Sequence, residues 1–152
     1  MTPSRIREKV IVEKTSWIRK MLEKINNLPI DSYDSFISDS RNIAAVESYL
    51  RRALEALMDL GRHILAKGFG KAVTEYKDIP LELLEKGVLS KSDADVMREM
   101  AGYRNRMVHF YNEISAEELH KICFEQLKDL EAVLTSILQW INSHSDLIDH
   151  SL

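Results

Sequence analysis

Apolar residues recur three and four positions apart through four long stretches of this chain, and few glycines or prolines interrupt them. That period fits one face of an α-helix and not a strand, whose sides alternate every second residue. The first stretch runs from about Pro3 to Asn26, with Ile6, Val10, Trp17, Met21 and Ile25 as its expected inner face, and Pro29 breaks it. A short helix is expected from Ser32 to Ile37. The second long stretch runs from Ser40 to Ala66 through Ile43, Val46, Leu50, Leu54, Leu57, Gly61 and Ile64, with Gly68 expected just past its end. "DIPLELLEKGVL" reads as a short helix with Pro80 in the first turn and Gly87 at the end. The third long stretch opens at "SKSDADV", capped by Ser92 or a neighbour, and continues to about Asn112. The fourth opens with the capping box Ser115-x-x-Glu118 and turns Ile122, Leu127, Leu130, Leu134, Ile137 and Ile141 inward. It fades near Ser143, and residues 143–152 are expected to fray.

Four long amphipathic helices with modest connections predict an all-α, up-and-down four-helix bundle with one or two additional short helices. The 152 residues suffice for a single domain with a real core, expected to span 1–152. With 5 glycines and 3 prolines, the chain has too few turn-formers for a many-stranded sandwich. The formal charge of −3 excludes a broad basic surface, so any nucleic-acid role needs a local patch, such as one built by assembling subunits. The single cysteine, Cys123, excludes an intrachain disulfide and a Cys-rich metal site. Its place among Ile122, Phe124 and Leu127 reads as a buried small hydrophobe, and such sparse cysteine agrees with a reducing cytoplasm. The opening "MTPSRIREKVIVEKTSW" is charged every few residues, so no signal peptide is expected. No apolar run approaches the ~18 residues of a membrane span, so no membrane partner is expected and the protein is placed in the cytoplasm.

The densest chemistry lies in "GYRNRMVHFY", Gly102 to Tyr111. At about 100° per residue, Val96, Met100, Tyr103, Met107, Phe110 and Ile114 fall on one side as the expected core stripe. Arg104 and Tyr111 nearly overlie each other at its edge, and Asn105 and His109 share a neighbouring line. Ala101 and Val108 fall between these polar lines, as a floor that a phosphate or a partner helix can approach. Arg106 points away, as a surface residue. On spacing alone, Arg104, Asn105 and His109 read as an ordinary solvated face.

These residues resemble a known signature. "RNRMVHFY" is similar to the R-x4-H-x-Y pattern of HepT-type HEPN proteins, at Arg104, His109 and Tyr111. "AAVESYLRRALEALMDLGRHILAKGFG" resembles that family's preceding long helix, and "LELLEKGVLSKSDADVMREMAGYRN" its short helix, loop and entry to the motif. The resemblance, over roughly Arg41 to Ile114, implies a helical bundle that forms a homodimer in which two motifs meet in a cleft. It implies a metal-independent endoribonuclease without cofactor, the toxin of a type VII toxin–antitoxin pair. RNA is then the substrate and an MntA-like nucleotidyltransferase antitoxin the partner. Arg104 and His109 are the implied catalytic residues, and Tyr111 the implied site of inhibitory AMPylation.

The chemistry agrees with that implication. His109 can exchange a proton near neutral pH, and Arg104 offers a permanent planar fork to phosphate oxygens. Asn105 can orient His109 or bond the RNA backbone, and Tyr111 can stack on a base or bond a phosphate. On the second long stretch, Glu55, Asp59 and Arg62 form a polar line that supports the cleft or simply faces solvent, with His63 near it. One rival is a di-metal bundle site built on Glu117-x-x-His120, but such sites need two E-x-x-H units and only this one is found, so no metal is expected. The other is a non-catalytic helical partner or nucleotide-binding subunit of a nucleotidyltransferase, using the same Arg104 and Tyr111. Neither a nucleophile elbow nor a P-loop is present.

Overall fold

Side-chain caps start most of the helices. The structure, a computed structural model, describes residues 5–109 and 114–151. Its helices are α1 (Glu8–Asn26), α2 (Tyr33–Ile37), α3 (Ser40–Phe69), α4 (Asp78–Glu85), α5 (Lys91–Val108), α6 (Ala116–Glu125) and α7 (Leu127–Asn142). Ser32, Asp39, Ser90 and Ser115 each accept a hydrogen bond from a backbone N–H in the first turn of α2, α3, α5 and α6, at 2.9–3.1 Å. Each cap is worth about 1 kcal/mol. The expected Ser115–Glu118 cap thus forms in its backbone half, while the Glu118 carboxylate goes to Arg106 instead.

α3 is the axis of the bundle. α1 packs along it, α4 and α5 lie against it elsewhere, and α7 closes on α5. The expected all-α bundle with added short helices is what forms. Val46, Leu50, Leu54, Leu57, Met58 and Leu60 are all buried, so α3 is apolar over most of its circumference. Gly61 allows the closest approach: a Cβ there would lie 2.8 Å from Ile79 Cγ2 and 3.1 Å from Leu83 Cδ1, both on α4.

Several boundaries differ from expectation for identifiable reasons. α3 runs past Gly68 to Phe69, and Gly70 caps it at φ 65°, in the left-handed region glycine tolerates. Gly68 instead packs on Ile6. The inner face of α1 is Ile11, Thr15, Ile18, Leu22 and Ile25, with Met21 beside it, while Trp17 stays 39% exposed with Lys20 over its ring. The fourth stretch is two helices that meet at Gln126, whose side chain bonds Glu99 and the Tyr103 hydroxyl. The C-terminal segment, expected to fray, carries regular structure as far as Asp149. A 3-10 turn at Ser145–Leu147 leads into β2 (Ile148–Asp149), which pairs in parallel with β1 (Ile6–Arg7). Ile6 and Ile148 are both buried in that pairing, which is what ties the segment down.

Candidate functional site

α5 carries the motif, and its core-facing side differs from the one periodicity selects. The buried residues are Ala94, Met97, Met100 and Ala101, while Val96, Tyr103 and Met107 only flank the core. Ala101 is fully buried, so it is no floor for a ligand; Val108 is 43% exposed. Large side chains dominate a sequence-based stripe, whereas the small Ala94 and Ala101 are among the residues α5 buries. Arg104 follows Met97 and Ala101 by three-residue and four-residue steps and so points toward α3 rather than to solvent.

There Arg104 meets the polar line of α3. Its Nε and Nη2 both donate to Glu55 Oε2, at 3.1 and 2.8 Å, and its Nη1 donates to Asn105 Oδ1 at 3.3 Å. Arg51 donates to the other Glu55 oxygen at 2.7 Å. The Arg104 guanidinium carbon also sits 4.6 Å from the ring centroid of Tyr76, and that of Arg62 lies 4.8 Å from the same ring. The Tyr76 hydroxyl donates to Asp59 Oδ1 at 2.8 Å. Burial and the Asp59 bond raise the Tyr76 pKa above its ordinary value. Of that line, Glu55 bonds Arg104 directly, whereas Asp59 and Arg62 meet it through the Tyr76 ring.

α5 ends earlier than expected, at Val108. His109 is its C-cap residue, with φ −104° and ψ 97°, outside the helix and exposed. The stacking of Asn105 and His109 along one helical line therefore stops short of His109. Both residues instead line one open cleft of about 640 Å³ beside α5. Lys77, Arg98, Gly102 and Arg106 line it too, with Asp95, Glu99 and Tyr103. The Arg106 guanidinium forms a two-pronged pair with the Glu118 carboxylate, which holds Glu118 below the usual carboxylate range. Lys77 and Arg98 make no ion pair among the described residues, so they are the available cations of the cleft. Lys77 lies across Gly102: its Cε is 3.7 Å from where a Cβ would stand. Tyr111, the last residue of the motif, falls outside the described residues.

A helical bundle with Arg104, Asn105 and His109 at one helix end invites comparison with known proteins. A family model described as "Ribonuclease HepT-like" matches residues 18–137. The chain belongs to this family. It is 27% identical over 135 residues to a putative RNase of Archaeoglobus fulgidus, covering 88% of this chain and 95% of that protein. It is 28% identical over 114 residues to the tRNA nuclease HepT of Aphanizomenon flos-aquae, covering 74% and 77%. In structure it resembles a tri-AMPylated HEPN toxin of Shewanella oneidensis in complex with its MNT antitoxin. The TM-score there is 0.78 at 23% identity, over 86% of this chain and 97% of that one, a likeness that speaks for the fold.

Two further sequence-based expectations meet the structure of this HepT-like chain differently. His63 does not join the polar line; its Nε2 accepts the backbone N–H of Arg7, at 3.0 Å. Glu117 is exposed, and His120 is engaged by α2 and the connection before it. Its Nε2 lies 2.9 Å from the Ile30 carbonyl oxygen and its ring packs among Tyr33, Phe36 and Phe124. Cys123 is buried as expected, and burial pushes its thiol up to about 12, away from nucleophilic use. Sequence reasoning missed Tyr76, Lys77 and Arg98. No periodicity relates a loop residue to the helix it leans on, so only the structure reveals the first two. Arg98 shares the α5 face of Asn105, seven residues on, and spacing alone could have found it.

Proposed function

We propose that the chain is a metal-independent endoribonuclease that acts in the cytoplasm as the toxin of a type VII toxin–antitoxin pair, working as a single-domain homodimer. The observation that carries the proposal is the end of α5. Arg104 is held rigid there by Glu55 and Asn105, while His109 stands exposed in a cleft with two available cations. In this reading the His109 imidazole takes the proton of a ribose 2′-OH, whose oxygen attacks the adjacent phosphorus. The free N–H groups of Arg104 balance the charge that builds on the phosphate oxygens. The 5′ oxygen leaves with a proton, and the products are a 2′,3′-cyclic phosphate and a 5′-OH.

The homodimer supplies what one chain lacks. Arg104 is turned to α3 and is not among the residues lining the cleft where His109 stands. A second copy related by a two-fold axis can bring its own pair into the same groove, and its His109 can protonate the leaving oxygen. The groove then concentrates positive charge on a protein of net charge −3.

Regulation in this proposal runs through Tyr111 and an MntA-like nucleotidyltransferase. An AMP group there adds bulk and negative charge where an RNA phosphate must sit. The related Shewanella toxin was solved AMPylated and in complex with its MNT antitoxin, which supports the reading.

The deciding experiment is induction of the wild type and of His109→Ala in a host lacking the antitoxin, with RNA ends mapped in each culture. Growth arrest with new cyclic-phosphate ends in the wild type alone is the expected result. A folded wild type with unmodified Tyr111 that neither arrests growth nor makes new ends would favour the non-catalytic subunit of a nucleotidyltransferase. Antitoxin that still neutralised Tyr111→Phe in full would remove the AMPylation mechanism while leaving the ribonuclease intact.

A further inference from the structure

We infer that Tyr76 is a positioning residue of this ribonuclease, fixing the plane and reach of the Arg104 guanidinium; the inference rests on the catalytic reading of Arg104 given above. Tyr76 lies in the connection between α3 and α4, where residues 70–77 carry no helix. Most of that connection is exposed, and between Lys71 and Asp78 only Val73 and Tyr76 are drawn inward. An exposed connection usually needs no such anchoring. Here three separate contacts hold one ring in place.

The first contact is the stack under Arg104, at 4.6 Å. The second is the hydroxyl bond to Asp59, whose carboxylate also pairs with Arg62 and Lys14. The third acts on the backbone. Arg62 donates from Nε to the Val73 carbonyl at 3.0 Å and from Nη2 to the Thr74 carbonyl at 2.7 Å, while its own guanidinium lies against the Tyr76 ring. α3 thus grips the connection just before Tyr76 and sets the ring beneath Arg104.

The consequence for Arg104 follows from its donor count. A guanidinium has five N–H groups. Three of them are directed at Glu55 and Asn105. One hydrogen remains on each terminal nitrogen, and the carbon that joins them lies over the Tyr76 ring, 4.6 Å from its centroid. An arginine side chain otherwise samples many rotamers, and each misaligned one presents its fork at the wrong angle. The stack removes that freedom before substrate arrives, as transition-state stabilisation requires of a preorganised donor. The surrounding charges do not cancel the fork. Among the described residues, Lys14, Arg51, Arg62 and Arg104 pair with two carboxylates, Glu55 and Asp59, so these groups together keep an excess of positive charge for phosphate.

The test is single-turnover cleavage of a short RNA by the full-length protein carrying Tyr76→Leu, Tyr76→Phe, Arg104→Lys and the double change Tyr76→Leu with Arg104→Lys. Tyr76→Leu is expected to lower kcat by about 10- to 100-fold with KM moved far less, since the arginine works on charge that develops in the transition state. Tyr76→Phe keeps the stack, loses only the Asp59 bond, and is expected within about threefold of wild type. In the Arg104→Lys background, Tyr76→Leu should cost less than about twofold further, because the plane it supports is gone. A Tyr76→Leu protein with wild-type kcat overturns the inference. So does an equal loss in both backgrounds, which would place its action elsewhere. If Tyr76→Leu does not fold, Tyr76→Met replaces it, and failure of both to fold makes Tyr76 a folding residue and overturns the inference as well. Arg104→Lys that cleaves like wild type would instead overturn the catalytic reading of Arg104, an outcome separate from all of these.

Discussion

Arg104 and Glu55 stand 49 residues apart in the chain, yet one Glu55 oxygen accepts two hydrogen bonds from the Arg104 guanidinium, at 3.1 and 2.8 Å. Both side chains are 24% exposed, so water screens the pair only in part. Glu55 also binds Arg51, so it balances two cations at once. Glu55→Ala removes the acceptor and leaves both arginines without it. The expected loss is about 1–2 kcal/mol of stability, read from urea midpoints, with kcat for RNA cleavage down about tenfold. Glu55→Gln retains an acceptor oxygen and should lose about two- to threefold in rate. Full cleavage by a folded Glu55→Ala would show that Arg104 needs no anchoring carboxylate.

The proposed role of His109 can be tested apart from stability. The residue is exposed at the cap of α5, outside the helix, so its truncation leaves the bundle core intact. His109→Ala is expected to fold, at a cost of at most about 1 kcal/mol. Loss of a general base costs about 100- to 10,000-fold in rate. Circular dichroism melts and RNA cleavage measured on the same preparation would check both statements. An inactive variant that also melted far below the wild type would assign His109 a structural role.

The bundle was legible in the sequence because burial enforces helical period, and Leu50, Leu54, Leu57 and Ile64 carry that period plainly along α3. The exact inward face of α5 was not legible. Ala94 and Ala101 contribute little apolar weight to a sequence pattern, yet both are buried. The break at Gln126 was hidden for a related reason. Glutamine is a good helix former, and what matters is its tertiary bond to Glu99 and Tyr103. The docked C-terminal segment depends on Ile148 finding Ile6 across nearly the whole chain, a pairing that no local signal announces. At the site, residue types were legible and partners were not. Arg104 and His109 stand out as phosphate and proton chemistry, whereas Tyr76 beneath Arg104 becomes visible only once the fold brings them together.

The His63 contact predicts how stability responds to acid. Only a neutral imidazole can accept the Arg7 N–H at Nε2, which puts the ring proton on Nδ1. Burial first, then the charges of Lys67 and Arg7, lower the His63 pKa below its ordinary 6.5. The unfolded chain therefore takes up this proton at a higher pH than the folded one. His63 contributes stability above about pH 6.5 that is lost as pH falls through its lower folded value. Urea midpoints followed from pH 7.5 to about pH 5 should fall more steeply for the wild type than for His63→Gln, whose amide oxygen accepts the same N–H without titrating. Parallel curves would remove His63 from the acid response.

Lys77 and Arg98 predict a salt signature for RNA binding. They line the same cleft as Asn105 and His109 and make no ion pair among the described residues, whereas Arg106 is committed to Glu118. If both contact RNA phosphates, each contributes about 0.7 to the slope of log affinity against log salt for a single strand. Lys77→Ala with Arg98→Ala should therefore flatten that slope by about 1.4 and weaken binding at low salt across RNA sequences alike. The bond-breaking step should be nearly unaffected once RNA is saturating, because neither side chain is asked to act on the reacting phosphate. Fluorescence anisotropy at several salt concentrations, using a His109→Ala background so that the RNA stays intact, measures the slope directly. An unchanged slope would move the RNA path off this cleft, whereas a lost slope with kcat preserved would fix the cleft as the track that leads a strand past His109.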